Sequence, residues 1–393
     1  MSYFNSMNIT SPLTPFGEVA VAQRQNIIEL KSNNNIVSAL RDVTTLAGSA
    51  TVTAANSEYV VATTALANDS ATLDSAEKGR YQAGYSAEAG IGVRYAGTPT
   101  GQMKADWGYF GATDGFYFGK DSTSVYIAVL RASVETKVRQ SAWNVDKLDG
   151  TGSSGLILDL AKGNIFQIVY SWYGYGGVEY TVLMNDTNGK QRKILVHTLS
   201  GSNATNIVDP NQPIRARVQN GSTATAHTLY VGGRQYSILG QYNPNVRNAG
   251  QYRLLQTSIT SAAFVPLITI RRKSAFETTS VKLRHFTLIS DQNIIVQVRL
   301  NGALTGASYI TPSDHTAQET AVEVDISATA ITGGVVIDDD IMSGGTAANR
   351  SGDAKTFGTV SFDFVGLQPV TLCAKAVSTT ATVTSHLAVI EEW

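Results

Sequence analysis

The chain has 393 residues, of which 43% are hydrophobic and only 16% charged, and its 30 basic and 31 acidic residues give a formal net charge of −1. That charged fraction is below the roughly 25% usual for soluble globular chains, and without blocks of like charge nothing steers the chain to nucleic acid or to an anionic membrane. The single cysteine, Cys373, excludes an intrachain disulfide and a cysteine-built metal site, and no apolar run approaches the ~20 residues of a membrane-spanning helix.

Residues 1–17 are polar, carry Pro12 and Pro15 and show no period. They predict an extended arm rather than a secretory signal, and hence a protein assembled in a cytoplasm. Residues 16–30 mix Val19, Val21, Ile27, Ile28 and Leu30 with charges in no clean pattern. They suit either a strand or clasp of the main domain or an arm docking on a neighbouring subunit, because termini stay loose unless something ties them down. The arm is assigned to residues 1–32.

Residues 50–65 alternate as one strand around Val60 and Val61, residues 69–78 read as a polar connector with at most one helical turn, and 79–95 as a strand entering a sheet. From Trp107 to Ser133 two strands flank the turn Thr113-Asp114-Gly115, and 124–131 alternates Val125, Ile127 and Val129 with Tyr126, Ala128 and Leu130. Small glycines beside large aromatics let rings cover the bare backbone of the next strand.

The stretch 143–199 organises the chain. A loop rich in Gly, Asp and Ser (143–155) leads to the aromatic and β-branched run 165–173. The turn Gly174-Tyr175-Gly176-Gly177 follows, then a strand over 178–184, an Asn-Gly turn and a strand over 193–199. Further short strands are expected at 214–218, 227–231, 234–239, 267–271 and 280–289, and, past a boundary at 291–293, at 294–300, 321–326, 331–337, 359–364, 370–377 and 381–390. The loop 342–355 reads as mobile or as a contact surface. Strands at this spacing, with few helix signals and no repeat, predict an all-β protein: a large antiparallel sandwich or jelly roll over 33–292 followed by a smaller β-sandwich over 293–393.

The five histidines (His197, His227, His285, His315, His386) never fall at metal-ligand spacing, and Gly150-Thr151-Gly152-Ser153-Ser154-Gly155 lacks the Lys-Ser/Thr and helix of a phosphate loop. No catalytic residue and no cofactor are expected. Two acidic groups invite a structural calcium: Asp146, Asp149 and Asp159 around the central loop, and Asp338-Asp339-Asp340 at a strand end. The alternative is carboxylates capping turn amides. Among the aromatics, Tyr173 and Tyr175 flanking Gly174 are the candidates for a sugar-stacking surface, against the alternative that they cover the sheet end.

The runs Trp143-Asn144, Leu148-Asp149-Gly150-Thr151-Gly152-Ser153-Ser154-Gly155, Lys162-Gly163-Asn164-Ile165-Phe166-Gln167 and Tyr173-Gly174-Tyr175-Gly176-Gly177 together resemble tailed-bacteriophage structural proteins. So do the opening Leu13-Thr14-Pro15-Phe16-Gly17-Glu18 and the closing Ala388-Val389-Ile390-Glu391-Glu392-Trp393. The resemblance implies a non-enzymatic virion component with a lectin-like, concanavalin-like sandwich, a fibre or capsid decoration subunit. It implies a homo-oligomer, with a trimer favoured, whose N-terminal arm meets other virion proteins. A carbohydrate-binding receptor-attachment module touching a host surface glycan is the alternative.

Overall fold

The computed structural model describes residues 24–392 except 187, 201–203, 241–245, 314, 346–350 and 357–362. The chain forms two compact units, Met1–Asn243 and Pro244–Trp393. The described residues of the first hold β1 (Arg24–Leu30), β2 (Asp42–Ala47), β3 (Thr51–Ala55), β4 (Glu58–Ala62), β5 (Ser70–Ser75), β6 (Ser86–Arg94), β7 (Lys104–Phe110), β8 (Gly115–Asp121), β9 (Val125–Arg131), β10 (Val134–Arg139), β11 (Asn164–Tyr170), β12 (Val178–Asn185), β13 (Gln191–Leu199), β14 (Ile214–Gln219) and β15 (Thr228–Leu239).

These make two antiparallel sheets. One is eight-stranded, β13-β12-β11-β6-β15-β4-β3 with β1 added against β15; the other is seven-stranded, β10-β9-β8-β7-β14-β5-β2. Period-two alternation sends one face of each sheet into a shared core: Ala105, Trp107 and Tyr109 from β7 meet Phe166, Ile168 and Tyr170 from β11. Rings from the two sheets interlock, with Trp107 edge-on to Phe166 at 5.1 Å and Tyr109 stacked at 5.3 Å on both Tyr170 and Tyr236. Each such side chain contributes about 1.5–3 kcal/mol by leaving water. Gly108, at φ +151°, must be glycine, since a Cβ there would lie 2.8 Å from the Tyr117 Cα on β8.

The meander expected over 165–199 is β11, β12 and β13. Other expectations are corrected. Residues 50–65 are a hairpin, β3 and β4, turning at Asn56 and Ser57, whose φ values of 54° and 62° suit a tight two-residue turn. Residues 70–75 form strand β5 rather than a connector: Ala71 and Leu73 enter the core, while Asp74 is held on the outer face by Arg215 (Nε 2.6 Å, Nη2 2.7 Å). The two strands expected at 227–231 and 234–239 are one, β15, with a register shift between Val231 and Arg234. The arm assigned to 1–32 is shortened, because Arg24–Leu30 pairs with β15 as β1 and buries Ile28 and Leu30. Residues 1–23 lie outside the described residues.

The second unit holds β16 (Val246–Ile259), β17 (Val265–Arg272), β18 (Ser280–Ser290), β19 (Ile294–Leu300), β20 (Ala303–Thr305), β21 (Val322–Asp325), β22 (Ala330–Thr332), β23 (Val335–Met342), β24 (Ser351–Thr356), β25 (Val370–Ala376) and β26 (Ala381–Glu392). Its sheets run β16-β26-β18-β24 and β21-β17-β25-β19-β23, with β20 paired to β22. The boundary expected at 292 lies earlier, because β16 and β18 flank β26, and β17 pairs with β25, so these strands fold with the C-terminal residues. The supposed loop 342–355 contains β24, paired with β18. Most of the strand expected at 359–364 lies outside the described residues. Cys373 on β25 is fully buried and directs its thiol at the Gln297 carbonyl, 3.3 Å away.

Candidate functional site

The link between β11 and β12, residues 171–177, projects from the end of the first sandwich and is fixed by its own backbone. The Gly176 amide donates to the Trp172 carbonyl at 2.6 Å and the Ser171 amide to the Gly177 carbonyl at 3.3 Å. A side chain at 176 is impossible, since a Cβ there would lie 1.2 Å from the Ser171 carbonyl oxygen. A neighbouring segment braces the loop: the Asn206 amide donates to the Gly174 carbonyl at 2.8 Å, and the Trp172 indole donates to the Ile207 carbonyl at 3.1 Å.

On this frame Trp172 lies edge-on to Tyr81, with centroids 5.3 Å apart, and the Tyr81 hydroxyl accepts from the Tyr173 amide at 2.9 Å. Burial pushes the Tyr81 phenol up from its ordinary pKa. Tyr173 sits at φ +38°, unusual for a residue with a side chain. Tyr173 and Tyr175 remain 55% and 62% exposed. The corner therefore has an inner pair, Tyr81 and Trp172, which packs, and an outer pair, Tyr173 and Tyr175, which is largely exposed, Tyr173 with its ring edge-on to Tyr81 at 6.5 Å between centroids. Such a surface can stack on the apolar face of a ring and hydrogen-bond its substituents.

Of the aspartates that invited a calcium, Asp146, Asp149 and Asp159 are each engaged in a turn. Asp146 is 2% exposed, and its oxygens accept from the Leu148 amide at 2.9 Å and the Ser154 amide at 2.8 Å. Burial raises its pKa, but these bonds outweigh that and hold the carboxyl below the usual range. Asp149 caps Thr151 through its amide at 2.9 Å and its hydroxyl at 2.6 Å, and Asp159 accepts from the Ala161 amide at 3.0 Å. Each aspartate closes its own turn, and among the described residues no three His, Cys, Asp or Glu side chains are grouped to hold a metal ion. Asp338, Asp339 and Asp340 lie within β23 opposite Val298, Gln297 and Val296, not at a strand end.

Sequence reasoning missed a charged layer on the outer face of the seven-stranded sheet. There Phe110, Tyr117, Tyr126, Ala128 and Leu130 form a second buried cluster. Beside it Asp106, with no solvent exposure, accepts from Arg217 (Nη2 2.7 Å, Nε 3.1 Å) and from the Tyr126 hydroxyl. Glu135 accepts from the Tyr117 hydroxyl and lies 3.5 Å from the Lys104 ammonium. Lys137 stands 4.1 Å over the Tyr126 ring. The signal was present as alternating charges, Lys104 and Asp106 on β7 and Arg215 and Arg217 on β14, in register across adjacent strands.

No protein-family profile and no curated protein matches the chain. Solved structures similar to it include an endo-β-1,4-glucuronan lyase from Trichoderma reesei (10% identity, 54% of this chain and 95% of that one, TM-score 0.35). Lectin I-B4 from Griffonia simplicifolia is also similar (11%, 54% and 99%, 0.35), as is a β-glucanase from Bacillus licheniformis (13%, 55% and 98%, 0.34). These neighbours overturn the reading of the chain as non-enzymatic. A lyase and a glucanase stand among them beside a lectin.

Proposed function

We propose that this chain is a glycan-binding attachment component of a tailed-phage particle, with Tyr173 and Tyr175 as its stacking surface. The observation that supports this most is the exposure of two tyrosines on a loop whose backbone is fixed, so that little ordering is needed when a ring settles on them. The phage setting is supported by the sequence runs around Trp143-Asn144 and Tyr173-Gly174-Tyr175-Gly176-Gly177. In that setting the chain is a homo-oligomer, a trimer in the favoured case, whose N-terminal segment contacts other particle proteins.

The test is a Tyr173→Ala/Tyr175→Ala double variant assayed for binding to host-surface polysaccharide and to an array of oligosaccharides. Loss of an aromatic contact worth about 0.5–1.5 kcal/mol per ring predicts, for two rings, binding weaker by about 5- to 150-fold, with an unchanged unfolding midpoint. Equal binding by variant and parent removes the corner as a glycan site. Light scattering reports on assembly: a mass of one 41.9 kDa chain, on or off the particle, counts against the oligomer.

A further inference from the structure

The eight-stranded sheet also has a face turned away from the core, and near its middle the backbone is uncovered at Gly92 and Gly233, while the Gln235 side chain lies over Gly90. Gly90 and Gly92 of β6 stand opposite Gln167 and Ile165 of β11, and Gly90 also stands opposite Gln235 of β15. Gly233 lies in the irregular stretch between Val231 and Arg234. With Glu29 and Lys31 these residues line a groove of about 340 Å³. Packing does not dictate glycine throughout this floor: a Cβ added at Gly92 or Gly233 would find its nearest atoms at 3.8 Å, ordinary contact. The trough is thus space that side chains could fill and do not.

Among the described lining residues two carry buried polar atoms without a partner: Arg234, whose Nη2 donates to Asp42 while its Nε and Nη1 find no acceptor, and Gln167. Glu88, 1% exposed, accepts from the Gln167 Nε2 at 3.0 Å and the Gln235 Nε2 at 2.9 Å, and pairs with Arg24 at 2.9 Å and Lys193 at 3.5 Å. Gln235 completes its bonding by accepting from the Ser237 hydroxyl, and Lys31 pairs with Glu29 at 2.8 Å. Gln167 is only 7% exposed, and its Nε2 is committed to Glu88, yet its Oε1 accepts nothing. A buried carbonyl without a donor is costly.

We propose that this groove is a binding site for a neutral saccharide, with a pyranose ring lying flat on the glycine floor beside Ile165 and one hydroxyl donating to Gln167 Oε1. A sugar ring has the two faces the site calls for: C–H bonds that pack on flat peptide planes and an aliphatic side chain, and hydroxyls that donate. An ionic ligand fits less well, because the neighbouring cations Arg24, Lys31 and Lys193 are already held in ion pairs with Glu88 and Glu29. The choice of a saccharide rests on the glycan-binding reading above, whereas the groove and its unmet acceptor do not.

The probes are maltotriose, cellotriose and chitotriose as neutral ligands and a triglucuronate as the charged one. Binding is followed by calorimetry and by hydrogen-exchange protection of residues 86–94 and 164–170 in the full chain. At least one neutral trisaccharide is expected to protect both segments. Gly92→Val, which fills the trough with a residue suited to a strand, is expected to weaken that binding at least tenfold at an unchanged unfolding midpoint, and Gln167→Leu, which removes the acceptor together with one donor to Glu88, to weaken it at least tenfold while lowering the midpoint, binding being read well below that midpoint. The Tyr173→Ala/Tyr175→Ala variant is expected to retain the protection. Should Gly92→Val lower the midpoint, Gln167→Leu alone decides. Protection at 171–177 without protection at 86–94 and 164–170 overturns the groove and leaves the corner standing. Protection of the groove with no effect of the tyrosine variant does the reverse. No protection of the groove by any neutral probe, or equal protection by triglucuronate, overturns the proposal.

Discussion

Replacing Asp106 by alanine removes the anion on which the outer layer of the seven-stranded sheet is centred. Its carboxylate has no solvent exposure, and it accepts from two nitrogens of Arg217 and from the Tyr126 hydroxyl, with the Lys104 ammonium 3.7 Å away. Without it Arg217, whose side chain is only 18% exposed, keeps its charge and loses its partner, and Tyr126 loses its acceptor. Breaking a buried pair from one side costs about 3–5 kcal/mol, and the residual exposure of Arg217 favours the lower end of that range. At roughly 2–4 °C per kcal/mol for a unit of this size, the first unit's thermal midpoint should fall by about 6–20 °C. Tyr126→Phe removes one hydrogen bond to a charged acceptor and should cost about 1.5–3 kcal/mol. The double variant should cost less than the sum, because both changes remove the same bond. Urea unfolding of the three variants, with Lys31→Ala at an exposed ion pair worth at most about 1 kcal/mol as control, measures this. An Asp106→Ala loss no larger than that of Lys31→Ala, or strict additivity with Tyr126→Phe, would refute the argument.

Other outcomes follow from burial. The Cys373 thiol is pushed up to about 12 by desolvation, so a thiol reagent at pH 8 should leave the native chain unlabelled and modify one cysteine per chain in urea; rapid native labelling would show the second unit to be open around β25. Burial lowers the pKa of both His197 and His227, and the His197 Nδ1 accepts from the Asn144 amide at 3.1 Å. A lowered folded value means the unfolded chain takes up protons first, so their contribution is present above the unfolded pKa of about 6.5 and is lost as pH falls below it. Unfolding free energies at pH 7.5 and 5.5 should show this decline, and His197→Gln/His227→Gln should flatten it; an unchanged slope would place the titration elsewhere.

The fold class was legible because its signal is periodic. β11, β12 and β13 announce themselves by aromatic and β-branched residues at period two and by an Asn-Gly turn. The missed elements were those whose turn chemistry is atypical. The β3–β4 hairpin turns on Asn56-Ser57 and the β9–β10 hairpin on Ala132-Ser133, all four residues at positive φ without a glycine. Ala and Ser give no turn signal of the Asn-Gly kind, so β10 went unread and β3 merged with β4. β5 was missed for another reason: Asp74 argues against a strand interior until Arg215 is known to lie across from it.

The candidate sites divide along the same line. Tyr173 and Tyr175 were accessible to sequence reasoning because the glycines between and after them mark a turn, and a turn puts side chains on the surface. The outer face of the sheet was not, because period two assigns residues to faces but does not say that a face is wet. Tyr117, Tyr126 and Asp106 all stand on the side away from the main core, where alternation reads as solvent, yet none is more than 1% exposed. The charged heads of Lys137, Arg215 and Arg217 lie over this layer, Lys137 Nζ 4.1 Å from the Tyr126 ring centre and the two guanidinium groups 5.3 Å from that of Phe110. A carboxylate under such a cover keeps its charge only where cations and hydroxyls converge on it. That convergence depends on register between β7, β9 and β14, strands far apart in the chain, and pairing across such separations leaves no trace in a local window. The open Oε1 of Gln167 is the same kind of fact, since the sequence places a polar residue on an outer face and only the partners of Glu88 reveal that half of its amide is spent.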